Sequence, residues 1–258
     1  MINIPIADFV IVLLIFLRIL SAFVASPIYG HEGIPALAKV FLSLIISYIV
    51  FLTIDKSKIL VEYNMAWIFT NAVKEIITGL ILGFMLNFVF QGISYSGTLI
   101  GFEMGLSMSQ VLNPLDNTSE NVVGNIFFYA SIVIFFLING HHYIISGLVY
   151  SFSVFQVGTF TLKEPVYLLL INYSFAVFII AVKITSPIIA SYFLIHIGEA
   201  IIAKVIPQMQ VFFVAQPLMI GIGFMLLITL VPVYLYVIKY LLKGSEDNLY
   251  LLIKAMGQ

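Results

Sequence analysis

The chain reads as an all-α integral membrane protein built from kinked helices, and three observations carry that reading. Hydrophobic residues make up 62% of its 258 residues and charged residues only 9%, against about 25% charged in ordinary soluble domains. The mean hydropathy is +1.15. Apolar stretches recur along the whole length, enough for about six to seven hydrophobic segments at roughly 20 residues per crossing. One helical domain over 1–258 is the natural organisation, with a polar loop at 105–121 and a short polar tail at 243–258. A net charge of −1 offers no basic surface to nucleic acid. With zero cysteines, disulfides and thiolate metal sites are excluded.

The first apolar stretch, Phe9 to Tyr29, follows Asp8 and lacks a basic leader. Pro27-Ile28-Tyr29 is a poor small-residue cleavage site, so the segment is expected to stay in the mature protein. Ala36 to Ile54 and Met65 to Ile100 come next, and then the polar segment from Gly105 to Asn121. A segment so polar, and with a proline, cannot continue a lipid-facing helix; it lies outside the bilayer or lines a protected cavity. Val122 to Ile138 and Tyr143 to Phe160 flank Asn139-Gly140-His141-His142, which reads as a short turn. The last two stretches, Val166 to Ile195 and Val211 to Leu242, exceed what one straight crossing needs. Pro187, Pro217 and Pro232 fall inside them, and each removes a backbone donor and crowds the preceding turn, predicting breaks or kinks. The carbonyls so freed need protein partners, which predicts burial against neighbouring helices.

Charge distribution does not yield a clean topology. Asp116 and Glu120, with no Lys or Arg nearby, place the polar segment outside, whereas Lys239, Lys243 and Lys254 place the tail inside. Seven crossings cannot satisfy both; six can, if Tyr143 to Phe160 or a neighbour does not fully span. Glycine spacing is the clearer sign. Gly97, Gly101 and Gly105 recur every four residues and so stay near one helix face, where another helix can press closely. Gly79 and Gly83 make a second, shorter ladder. Generic transmembrane packing is the ordinary account of each motif alone; together they favour a crowded, multi-helix environment.

Isolated charges at helical depth are costly enough to need partners or a snorkelling position. Arg18, Lys39, Glu75, Glu103, Lys183, Glu199 and Lys204 all sit in or beside apolar segments. Their sequence spacing supplies no ideal pair, so the partners are expected on other helices or other subunits. Chemistry is thinly supported. His196 and Glu199, three apart, share a helix face, but two ligands do not close a metal site. Gly105-Leu106-Ser107 contains a fragment of a serine-nucleophile motif without a visible base or oxyanion site. No enzyme is expected, and no cofactor.

The segment Ile206 to Leu218, IPQMQVFFVAQPL, completes an ordered set with Arg18, Pro27, GIPALAK from Gly33, KEIITGLILGF from Lys74, GFEMGLS from Gly101, NGHH from Asn139, and Pro187. Taken together over nearly the whole chain, these resemble the FliR/SctT family, membrane components of the type III export apparatus of bacterial flagella and injectisomes. Asn113-Pro114 stands where members often carry Asp-Pro, and Ala215-Gln216 where a glycine is usual before Pro217-Leu218.

The resemblance implies a fold of kinked helical hairpins like a fused FliP-FliQ unit. It implies a place in the bacterial inner membrane, at the flagellar basal body or injectisome base. FliP-like and FliQ-like subunits are the implied hetero-oligomeric partners, with FlhB-like and FlhA-like export components and unfolded substrates. It implies a plug that closes the lumen, here Met104, Gly105, Leu106, Ser107, Met108, Ser109, Gln110, Val111, Leu112, Asn113 and Pro114. Methionine adapts to irregular gaps, so the apolar members suit a deformable seal. Arg18, Lys39, Glu75, Glu103 and Lys204 become candidates for assembly, and Pro207, Gln208, Met209 and Pro217 for a hairpin bend. The competing class is a self-contained polytopic small-solute transporter, with broken helices around a substrate site. More remote is an intramembrane serine protease using Ser107.

Overall fold

The computed structural model describes residues 6–56, 59, 61–106, 121–208 and 211–257. Seven helices account for most of them, and no strand occurs among the described residues: α1 (Ile6–Ala25), α2 (Ala36–Thr53), α3 (Met65–Glu103), α4 (Val122–Leu137), α5 (Gly140–Val154), α6 (Glu164–Val205) and α7 (Val211–Gly257). Five, α1, α2, α3, α6 and α7, are long and apolar enough to cross a membrane. The chain is therefore an all-α membrane protein. At 16 and 15 residues, α4 and α5 are each shorter than the roughly 20 a crossing requires. They meet at 72° and together make a sixth candidate span. The bend sits at Asn139, whose φ of 59° is left-handed, a conformation asparagine tolerates because its short side chain bonds locally. His141 and His142 thus belong to the first turn of α5 and not to the turn itself.

Of the breaks or kinks expected at proline, breaks do not occur. α6 runs through Pro187, and α7 through Pro217 and Pro232, as continuous helices of 42 and 47 residues. The carbonyl that Pro187 cannot satisfy belongs to Lys183, and the Ser186 hydroxyl donates to it at 2.9 Å. At 1.5 Å per residue these helices are about 60–70 Å long, twice the hydrocarbon thickness of a bilayer.

The chain divides into two compact units, 1–88 with 139–174 and 243–258, and 89–138 with 175–242. In the first, α1 packs on α2 and buries Val10, Ile11, Leu14, Ile15, Arg18, Ile19 and Ala22, the three-and-four spacing of one helix face. The beginning of α3 crosses α1 at Gly79 and Gly83. A Cβ on Gly79 would collide with Ser21 and the Arg18 carbonyl, and one on Gly83 with the Ala22 carbonyl. The segment from Lys243 on, expected as a polar tail, is helical to Gly257 and buries Leu249, Leu252, Ile253 and Met256. Those four lie at i, i+3, i+4 and i+7; the Ser245-Glu246-Asp247 run obscured an apolar face that reaches Gly147 of α5 through Leu249.

In the second unit the end of α3 meets α4 and α6. A Cβ on Gly97 would lie 2.7 Å from the Val123 carbonyl, and one on Gly124 would lie 2.7 Å from the Thr98 hydroxyl. Phe90 packs edge-on against Phe128 and Phe135, and the Thr185 hydroxyl donates to the Ser96 carbonyl at 3.1 Å. Burial is uneven. Of its most apolar window, α3 buries 56% but α6 only 11% and α7 17%, so the last two helices present long unpartnered apolar faces.

Candidate functional site

In the first unit the buried charges find one another. The Arg18 guanidinium makes a bidentate pair with Glu75, Nε to Oε2 at 2.5 Å and Nη2 to Oε1 at 3.0 Å, and both side chains are 0% exposed. Its Nη1 donates to Ser151 Oγ at 3.2 Å. The rings of Phe152 and Phe155 lie 4.1 and 4.6 Å from the guanidinium carbon, adding cation–π attraction. The backbone amide of Gly158 donates to Glu75 Oε1 at 2.7 Å. Gly158 has a φ of 79°, and a Cβ there would meet Asn71 Oδ1 at 2.6 Å, so the amide is aimed by a residue that must be glycine. Lys74, the neighbour of Glu75, turns to the Gly158 carbonyl at 3.2 Å. One guanidinium therefore joins α1, α3 and α5. The partner of Arg18, left open by the sequence between another helix and another subunit, is a carboxylate of the same chain.

Lys39 closes the connection between α1 and α2, its ammonium donating to the carbonyls of Gly30 and His31 at 2.9 and 3.0 Å. Lys204 is exposed in the last turn of α6, where a cation complements the helix dipole. Pro207 and Gln208 form the turn after α6, while Pro217 lies within α7; Met209 is outside the described residues.

The second unit holds both roots of the polar segment. Ser107, Met108, Ser109, Gln110, Val111, Leu112, Asn113 and Pro114 lie outside the described residues, but Met104, Gly105 and Leu106 do not. α3 ends in a Schellman motif: Gly105 is left-handed at φ 74°, its amide donates to Phe102, and the Leu106 amide donates to Gly101 at 3.0 Å. On the far side Asn121 caps α4, its Oδ1 accepting from the amides of Val123 and Gly124 at 3.0 and 3.2 Å. The other half of the same amide donates to the Thr98 carbonyl of α3 at 3.2 Å. A Cβ on Gly101 would run into the Asn121 amide. The glycine ladder thus lets α4 begin against the last turns of α3, and both ends of the polar segment are fixed to one place.

Around the α3 terminus sits a cavity of about 310 Å³ lined by Phe102, Glu103, Gly105, His196, Glu199, Ala215, Gln216 and Met219. His196 Nδ1 lies 3.2 Å from Glu199 Oε2, and Nε2 lies 4.0 Å from Glu103 Oε2. Gln216 Nε2 donates to the Met104 carbonyl at 3.4 Å. Met104 itself is fully buried, beside Tyr192, whose hydroxyl donates to the Met219 carbonyl at 2.6 Å, and Gly223. Among the described residues no group of three His, Cys, Asp or Glu side chains could hold a metal ion. Sequence reasoning missed Ser151, Gly158 and Tyr192, for which no motif exists, and noted Gln216 only as a departure from a usual glycine, without its contact to Met104. Asn121 was missed as well, although an asparagine directly before an apolar run is the signal of a helix cap.

Residues 9–245 match a family model described as bacterial export proteins, family 1. The chain is 30% identical over 251 residues to the flagellar biosynthetic protein FliR of Bacillus subtilis, covering 95% of each chain. It is 30% identical over 229 residues to the FliR protein of Aquifex aeolicus, covering 87% of each, and 25% identical over 217 residues to that of Escherichia coli, covering 84% of this chain and 82% of the relative.

Proposed function

The chain belongs to family 1 of the bacterial export proteins, and on that premise we propose that it is a non-enzymatic subunit of the flagellar type III protein export gate. It sits in the bacterial inner membrane and helps to form and close the channel through which unfolded substrates cross. FliP-like and FliQ-like subunits cover it laterally, and FlhB-like and FlhA-like components adjoin the gate. The flagellar assignment follows the relatives, which are named as flagellar biosynthetic proteins.

The assembly part of this reading is supported by α6 and α7. Their lengths exceed a bilayer about twofold, and their apolar windows are almost unburied within the chain. A single copy in water would leave that surface exposed, so lipid and neighbouring subunits must take it up.

The closing part rests chiefly on the geometry of the two roots. A Schellman turn at Gly105 and the doubly bonded Asn121 amide deliver the polar segment from stiff, adjacent points. Roots fixed in this way suit a plug between them that opens and recloses while the ends of α3 and α4 stay in place. Deleting Gln110 to Asn117 and reconstituting the mutant chain with its partner subunits in vesicles is the test. Leakage of ions through the intact complex is expected. Unchanged permeability in a fully assembled complex sinks the plug.

A further inference from the structure

Between α4 and α7 the second unit carries a groove that is apolar except at one point. Ile126 and Ala130 of α4 line it together with Phe224, Leu227 and Val231 of α7, and it encloses about 270 Å³. The α7 positions recur at three and four residues, so the groove follows the helix axis, over about 21 Å from Phe224 to Ile238. The exception is Tyr234. It is 6% exposed, its ring stands edge-on to Phe127, and its hydroxyl has no hydrogen-bond partner. Buried polar groups are rarely left alone, and one in an apolar wall calls for a ligand atom that accepts its proton.

The form of the groove decides what that ligand is. A helix is about 10–12 Å across, too wide for a groove that holds about 270 Å³ over such a length. Its carbonyls are also already bonded within it, so it would ride over Tyr234 without answering the hydroxyl. A single hydrocarbon chain matches both the width and the lining. Past Tyr234, α7 presents exposed Tyr236, Lys239 and Tyr240, the residue types that gather at headgroup level. Lys239 lies one turn beyond Leu235 of the groove wall, on the same side of α7. An acceptor carried on an apolar chain just beneath a headgroup is a lipid ester carbonyl.

We propose that this groove is a phospholipid site: one acyl chain lies along it, an ester carbonyl accepts from the Tyr234 hydroxyl, and the phosphate sits at the level of Lys239. Such a site requires only that the chain be embedded in a bilayer, and it is independent of the polar segment and of any gating role.

For the test, the full chain is reconstituted in phosphatidylcholine vesicles containing diester phosphatidylglycerol brominated near the ends of its acyl chains, which quenches tryptophan on contact. Trp67→Phe removes the single native tryptophan. Phe224→Trp then places one at the end of the groove away from Tyr234, and Phe193→Trp, 65% exposed on α6, reports bulk lipid instead. The tryptophan at 224 should be quenched by a severalfold smaller share of brominated lipid than the one at 193. Unbrominated diester lipid should relieve that quenching about fivefold better than its diether analogue, which lacks the carbonyl, a factor equal to one ordinary hydrogen bond. Tyr234→Phe should erase this ester preference, and it leaves the fold intact because it deletes a hydroxyl that the chain itself does not pair. In the assembled complex, a photoreactive benzoylphenylalanine in place of Ile126 should give an adduct of phospholipid mass. Quenching at 224 that only matches 193, equal competition by diester and diether lipid with Tyr234 present, or an adduct from 126 to another subunit overturns the site.

Discussion

Replacing Glu75 by alanine removes the carboxylate that two nitrogens of Arg18 and the amide of Gly158 all donate to. The guanidinium stays where it is, 0% exposed, with the Ser151 hydroxyl and two aromatic faces as its remaining company. Breaking a buried ion pair by removing one partner costs about 3–5 kcal/mol. The stranded amide adds about 1 kcal/mol, the low end for a buried donor, because its site is only part-buried. At about 2–4 °C per kcal/mol for a chain of this size, melting should fall by roughly 10 °C or more. The single tryptophan, Trp67, lies in the first turn of α3, two turns before Glu75, and its fluorescence reports that unit directly. The measurement is a thermal melt in detergent, on the chain alone and with its partner subunits. Arg18→Met combined with Glu75→Leu replaces both charges with apolar groups of similar size and should recover at least half of the loss, since such swaps are often neutral. Had the two charges served neighbouring subunits, Glu75→Ala would leave the isolated chain's melt untouched and reduce only recovery of the complex. A shift within the error of the melt, or a double variant as unstable as the single one, refutes the energetics given for the pair.

Two further expectations follow from close backbone approaches and caps. Gly79→Val places carbon into Ser21 and the Arg18 carbonyl; backbone cannot retreat as a side chain can, so α1 and α3 separate at a cost of about 1–3 kcal/mol or more, seen as faster proteolysis of the first unit, and a protease-resistance profile equal to the parent's rejects the contact. Asn121→Ala should cost about 1 kcal/mol as a lost cap, with amide exchange quickening at Val123 and Gly124, whereas Asn121→Asp keeps the cap; equal exchange in all three chains contradicts the double bonding.

How much of this was legible in the sequence depends on the range over which the cause acts. Composition sets the fold class because lipid admits few backbone solutions, and the four-residue glycine spacing marks the faces of α3 directly. Arg18 and Glu75 were recognisable as charges in need of partners, but 57 residues separate them, and nothing local says which carboxylate a guanidinium will meet. Pro187 promised a break or a kink; a serine one position earlier satisfies the carbonyl and the helix is not broken. In the tail, three adjacent polar residues outweighed an apolar repeat that only the packing of α7 against α5 makes plain. Gln216 stood out only as a departure from the glycine usual before Pro217-Leu218, since an amide near a helix end is meaningful only once another helix end arrives beside it.

The pair also sets a timetable for biosynthesis. Arg18 is made 57 residues before Glu75 and 133 before Ser151, and the Gly158 amide follows later still. α1 therefore leaves the ribosome carrying a charge that lipid disfavours and whose carboxylate partner has not yet been made. The site is complete only when the connector after α5 has been translated. A chain truncated before α3 keeps a guanidinium without its carboxylate.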